Sequence, residues 1–119
     1  MKLEPELIKE ILLWCEKNLP AENKSFNLDE MEISKFSRFQ IVFHTKILVE
    51  NDYIDAIDTT AGSQLFDCIF EHLTNNGYQY LNLIRSKAWN TAKGLLHETG
   101  VIFAEAAIKA VIDKYNPIV

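Results

Sequence analysis

The stretch SRFQIVFHTKILVENDYIDAIDTTAGSQLFDCIFEHL, residues 37–73, decides the fold. Apolar residues in its first half recur at helical spacing, which predicts a helix from Ser37 to Asn51. Ser37 suits the N-cap, and Asn51-Asp52 suits a left-handed close. Phe36, Phe39, Phe43 and Ile47 form one apolar stripe, widened by Val42 and Leu48. The second half changes period. Tyr53-Ile54-Asp55-Ala56-Ile57-Asp58 reads as a strand, and Thr59–Gln64, with Ala61-Gly62-Ser63, as a loop. Phe66-Asp67-Cys68-Ile69-Phe70-Glu71-His72 reads as the return strand, with Phe66, Cys68 and Phe70 on one face. A hairpin this small is marginal alone, so it must pack on the helices beside it.

Upstream, a helix is expected from Glu4 to Asn18. Pro5 suits its first turn, and Leu7, Ile8, Ile11, Leu12 and Cys15 form its apolar stripe with Trp14 at the edge. Leu13 falls among the charges of the wet face, either as a lone exposed leucine or as a partner contact. Leu19-Pro20 ends the helix. Ser25–Leu28 reads as a short strand, followed by a short turn near Asp29–Lys35. Downstream, Thr74 or Asn75 caps a helix from about Asn76 to Arg85. Another helix is expected from Ser86 to His97, and a last one from Val101 to Tyr115, stopped by Pro117. The class is therefore α+β and mainly helical. The architecture expected is a winged helix-turn-helix with a two- or three-stranded wing and additional C-terminal helices. Residues 1–119 read as one domain, with helix-turn-helix and wing in 1–73 and C-terminal helices in 74–119.

Composition narrows the function. Hydrophobic residues at 48% and charged residues at 24% are globular values, which exclude disorder and fibres. No apolar run reaches the ~20 residues of a membrane helix, and Met-Lys-Leu-Glu-Pro-Glu is too acidic to open a signal peptide. Cys15 and Cys68 read as reduced core thiols, and the expected location is the cytoplasm. The formal net charge is -5. Residues 1–58 carry seven basic and twelve acidic side chains, whereas 59–119 carry five of each. An acidic surface repels phosphate, so nucleic acid is possible as a partner but disfavoured by charge.

Two groups of residues resemble a known family. One is Phe43-His44-Thr45-Lys46-Ile47-Leu48 followed by Tyr53-Ile54. The other is Leu73-Thr74, Gly77-Tyr78, Tyr80-Leu81, Ile84-Arg85, and Trp89 with Lys93. Together they are similar to domain-of-unknown-function family 2513, small bacterial and phage-associated proteins, over roughly residues 4–115. The resemblance implies winged-helix character and brings no established activity. The chain has Asp52 where the family pattern has glycine, Tyr78 where it has histidine and Asn82 where it has an acid.

Catalytic signatures are absent from the sequence. There is no His-Glu-x-x-His, no Cys-x-x-Cys, no phosphate-cradling glycine loop and no Gly-x-Ser-x-Gly. His44, His72 and His97 lie on three different elements. No enzyme activity, metal, cofactor or small-molecule substrate is inferred. His44 is the sharpest residue of the resemblance. Its structural reading is a hydrogen bond to backbone at the helix–hairpin junction, and its functional reading is a phosphate donor or pH switch. Arg85 and Trp89 read first as packing, with the guanidinium on indole or bridged to Asp55 or Asp58.

Three functional readings follow. Nucleic-acid contacts would fall to Lys35, Arg38, Thr45 and Lys46, with Arg38, Thr45 and Lys46 facing outward from the Phe39/Phe43 stripe. The wing from Asp58 to Asp67 has no Lys or Arg, which opposes that role. The last helix is apolar nearly all round, with Phe103, Ala106, Ala107, Ala110 and Val111 available for self-association and Glu105, Lys109 and Asp113 as one wet seam. The leading expectation is a non-enzymatic module acting by protein contact, as a homodimer or with another protein, Leu13 being a further interface candidate. The alternatives are a DNA-binding regulator and an acidic inhibitor of a host protein.

Overall fold

The computed structural model describes residues 3–62 and 65–86. The expected helix beyond Ser86, the last helix, and with them Trp89, Phe103, Ala106, Ala107, Ala110 and Val111 lie outside the described residues. Helix α1 spans Pro5–Asn18, strand β1 Phe26–Asn27, a 3-10 turn Leu28–Glu30, and helix α2 Arg38–Glu50. Strands β2 (Ile54–Asp58) and β3 (Cys68–Leu73) follow, then helix α3 (Asn75–Ile84). The class is α+β, as expected.

Helix α1 starts at Pro5 and buries the expected stripe of Leu7, Ile8, Ile11, Leu12 and Cys15. Glu4 stands at the N-cap without a side-chain cap bond. Burial of the four aliphatic residues, at about 1.5–3 kcal/mol each, outweighs a missing cap worth about 1 kcal/mol. At the edge of the stripe Trp14 meets the rings of Phe26 and Phe70, both with centroids at 5.3 Å. These contacts seat the sheet on α1.

The sheet is antiparallel with order β1-β3-β2. Phe26 pairs with Phe70, and Ile57 with Ile69. Asp55 faces His72 but Ala56 faces Phe70, so Glu71 is one extra residue in β3. Cys68 and Phe70 are buried, as their alternation requires, whereas Ile69 is only half-buried.

The turn expected near Asp29–Lys35 forms earlier, at Leu28–Glu30, because Asn27 and Glu30 cap it reciprocally. Lys35 then has a left-handed φ of 76°.

Helix α2 begins at the expected cap, since the Ser37 hydroxyl accepts from Gln40 N–H. Of the expected stripe, Val42, Ile47 and Leu48 are buried and Phe36 and Phe43 are partly buried against the core, but Phe39 is not. Ile41, Val42, His44, Thr45, Ile47 and Leu48 are buried, whereas Phe39 is 54% exposed. At about 100° per residue, Ile41, His44, Thr45 and Leu48 share one face. Phe39, Phe43, Lys46 and Glu50 share the opposite one. The aromatic stripe is therefore outside at Phe39 and only partly covered at Phe43.

Helix α2 ends in two backbone bonds, Tyr53 N–H to the Leu48 carbonyl at 2.9 Å and Asp52 N–H to the Val49 carbonyl at 3.2 Å. That is the Schellman pattern, with Asp52 at the left-handed position, φ 66°. The Thr74 hydroxyl donates to the Asp52 carbonyl at 2.6 Å and accepts from Gly77 N–H at 3.0 Å. It thereby caps α3 and ties it to the α2–β2 turn. A Cβ at Gly77 would lie 2.2 Å from the Tyr53 carbonyl oxygen, so glycine is required there by close approach.

Two glycine exchanges test this junction in opposite directions. Gly77→Ala should lower unfolding stability by roughly 3 kcal/mol, since the colliding atom is backbone. Asp52→Gly should raise it by on the order of 1 kcal/mol, by removing an L-residue from left-handed geometry. Chemical denaturation of both variants beside the parent checks the signs.

Candidate functional site

Helix α2 and the linker before it carry the four residues expected to contact nucleic acid. Among the four nucleic-acid candidates, Thr45 is fully buried, which corrects the outward placement. Its hydroxyl has no hydrogen-bond partner among the described residues, while its β-branched body packs as an apolar group. Arg38 is partly exposed, but its guanidinium donates to the Met31 carbonyl at 2.8 Å and the Leu28 carbonyl at 2.7 Å, with Asp29 at 4.0 Å. Its donors thus hold the 3-10 turn. Lys46 pairs with Glu50 at 3.7 Å and acts electrostatically on Asp58. Lys35 is exposed on the linker before α2. With Thr45 buried and the Arg38 guanidinium bonded to backbone, the four do not all present free groups to solvent.

The hairpin adds carboxylates. Thr60 N–H donates to the Asp58 carboxylate at 2.8 Å, and hydrogen bonds from Thr60 hold the Asp58 carboxyl below its ordinary value. Asp67 N–H donates to the Thr60 hydroxyl at 3.0 Å. On the outer face Asp55 lies 3.4 Å from His72. Between Arg38 and Leu73 there are two Lys or Arg against six Asp or Glu. Exposed apolar side chains stand among them: Phe39, Ile57 at 53% and Leu65 at 56%.

A second concave surface lies between α1 and the linker at 32–36. It encloses about 620 Å³ and is lined by Leu13, Trp14, Ile33 and Phe36 among charged residues. Leu13 is half-buried in this groove rather than isolated on a wet face.

The residues singled out in the sequence motif have structural partners. His44 is completely buried. Glu4 N–H donates to its Nε2 at 2.9 Å, and its Nδ1 lies 2.8 Å from the Gln40 carbonyl. Because Nε2 accepts, Nδ1 carries the proton. His44 therefore bonds a backbone carbonyl, as expected, but within α2 rather than at the helix–hairpin junction, and its other nitrogen joins α2 to the start of α1. Arg85 pairs with Glu16 of α1, not with Asp55 or Asp58. Glu4 and Glu16 were missed as partners; 40 and 69 residues separate each pair, and no local pattern signals such pairing.

Burial pushes the Cys15 thiol up, and burial together with Asp67 and Asp58 pushes Cys68 up to about 12, so both are protonated at neutral pH. Among the described residues no three of His, Cys, Asp and Glu lie where they could hold a metal ion. No helix among them is long and apolar enough to cross a membrane.

A family model described as Hypothetical protein (DUF2513) matches residues 2–102. No curated protein and no solved structure matches the chain.

His44 makes stability depend on pH. Burial disfavours its imidazolium and lowers its folded-state pKa below 6.5, against the opposing influence of the Gln40 carbonyl and Glu4. The unfolded chain then binds the extra proton more readily. The stabilisation is fully present above about pH 6.5 and is lost as pH falls towards the lowered folded value. Denaturant midpoints measured from pH 7.5 to 5 should fall for the parent, and His44→Gln should remove most of that slope.

Proposed function

We propose that this chain, which belongs to the family described as Hypothetical protein (DUF2513), is a winged-helix module that works by contact with other protein surfaces rather than by catalysis. The winged-helix reading is supported by the order α1, β1, 3-10 turn, α2, β2, β3 and by the sheet order β1-β3-β2. In that reading the 3-10 turn replaces the first helix of the helix-turn-helix. Helix α2 takes the recognition position, and β2–β3 is the wing.

One observation carries the protein-contact reading. The solvent line of α2 is Phe39, Phe43, Lys46 and Glu50, and its single cation is already paired. A strong DNA binder neutralises about 6–10 phosphates. This helix and hairpin offer two basic side chains within six acids. An exposed phenylalanine gives nothing to phosphate, yet is a typical anchor in a protein contact. Self-association is the form of contact we favour, drawing on the apolar stretch with Phe103, Ala106, Ala107, Ala110 and Val111. The architecture itself favours DNA regulation as a second reading, with Lys35, Arg38 and Lys46 as its cations.

Light scattering at high protein concentration should give twice the chain mass of 13.7 kDa; a mass that stays at one chain removes self-association. Gel-shift at low salt, where phosphate attraction is strongest, should show no retardation of random or genomic DNA. A shift abolished by Lys46→Ala would favour the second reading instead. Phe39→Ser should change unfolding stability by no more than about 0.5 kcal/mol, as expected for a side chain kept for contact rather than for the core.

A further inference from the structure

We propose that His44 is a pH-operated latch: taking up a proton breaks its bond to α1 and opens the first turn of that helix, while α2 and the sheet stay folded. The two ring nitrogens set up this asymmetry. In the neutral ring, Nδ1–H donates to the Gln40 carbonyl at 2.8 Å, and Nε2 accepts from Glu4 N–H at 2.9 Å. A further proton can enter only at Nε2. The Gln40 bond then keeps its donor and its acceptor. The Glu4 bond is left with two donors facing each other and is lost. Protonation therefore acts on the tie between the helices and spares the bond within α2.

Helix α1 is fastened unequally along its length. Towards its C-terminal end Trp14 meets Phe26 and Phe70, and Glu16 pairs with Arg85. None of these contacts involves a histidine. At the N-terminal end Glu4 gives no side-chain cap bond, and its carbonyl accepts from Leu7 N–H at 3.0 Å and Ile8 N–H at 3.1 Å. The bond from Glu4 N–H to His44 fixes this turn to α2. Leu3 and Leu7 have no exposed surface, so opening the turn uncovers apolar side chains.

The surroundings of the ring set the direction of the response. Burial disfavours the imidazolium most strongly; the Gln40 carbonyl and Glu4 favour it, and the chain's amino group opposes it. Opening admits water to the ring and restores its ordinary affinity for a proton, near pKa 6.5. The open form thus binds the proton more readily. The closed form is fully favoured above about pH 6.5 and yields as pH falls towards its own lowered value.

Amide hydrogen exchange, followed residue by residue by NMR on the full chain at pH 7.5 and pH 5.5, tests the latch. Rates are taken relative to those of unstructured peptides at the same pH. The Glu4, Leu7 and Ile8 amides should lose protection by roughly five- to tenfold at pH 5.5, about one unit below the pKa of the open form. Amides of Thr45 and Leu48 in α2 and of Phe70 in β3 should change by less than about twofold. His44→Gln keeps an oxygen that can accept from Glu4 N–H but takes up no proton, and it should abolish the loss. His72→Gln and His97→Gln remove the other two histidines and should leave the loss in place. Equal loss at all the named amides would make the response one of global unfolding and overturn the latch. So would unchanged protection at Leu7 and Ile8, or a loss that persists in folded His44→Gln or vanishes with His72 or His97. Should His44→Gln fail to fold, the pattern among the parent amides and the other two histidine variants still decides.

Discussion

The imidazole of His44 has no exposed surface, and that constraint orients helix α2. An unsatisfied buried nitrogen costs about 1–3 kcal/mol, so both ring nitrogens need partners. Helix α2 supplies one from its own turn, the Gln40 carbonyl. The other comes from Glu4 N–H, one of the donors that a helix start leaves without an intrahelical acceptor. One bond thus satisfies a buried side chain and an uncapped helix end. It also sets the rotation of α2. With His44 turned towards α1, Ile41, Thr45 and Leu48 must follow it inward, and Phe39, Phe43, Lys46 and Glu50 must face out. The character of the outer face of α2 follows from a requirement of the core.

The same economy governs the cations. Arg38 braces the 3-10 turn, Arg85 clasps α1 through Glu16, and Lys46 answers Glu50. Exposed pairs of this kind contribute little to stability. Their importance is that charge spent on internal partners is not offered to phosphate. The acids of the hairpin are treated differently, since hydrogen bonds at Asp58 keep it ionised instead of neutralising it. The α2–hairpin surface is therefore acidic with apolar side chains standing on it.

Close approach of backbone does the remaining work. Strand β3 lies at the centre of the sheet, so β1 and β2 both depend on it. Its end leads directly into α3, where Gly77 packs against the Tyr53 carbonyl and Thr74 ties α3 to the turn after α2. Tyr53 and Tyr80 meet edge to face beneath this junction, with centroids 5.7 Å apart. Helix, hairpin and helix are thus coupled through a few atoms at residues 52, 53, 74 and 77.

Elements with a local cause were legible in the residues themselves. Pro5, Ser37 and Thr74 mark helix starts, Asn51-Asp52 marks a helix end, and alternation through Phe66, Cys68 and Phe70 marks a strand, because caps and periodicity act over three or four residues. The short strand near Phe26 was legible for the same reason. The orientation of α2 was not. Its sequence offers Phe39 and Phe43 beside Lys46 and Glu50 on one face, and Ile41 and Leu48 beside His44 and Thr45 on the other, and local pattern does not choose between them. The choice is fixed with the help of a donor 40 residues away, and an arginine's partner lies 69 residues away. Among the described residues, sequence alone determined the helices, the strands and their order, and it set the acidic balance, since each depends on neighbours along the chain. Only the tertiary structure decided which face of α2 meets solvent and which cations are already engaged, since those depend on groups brought together by folding.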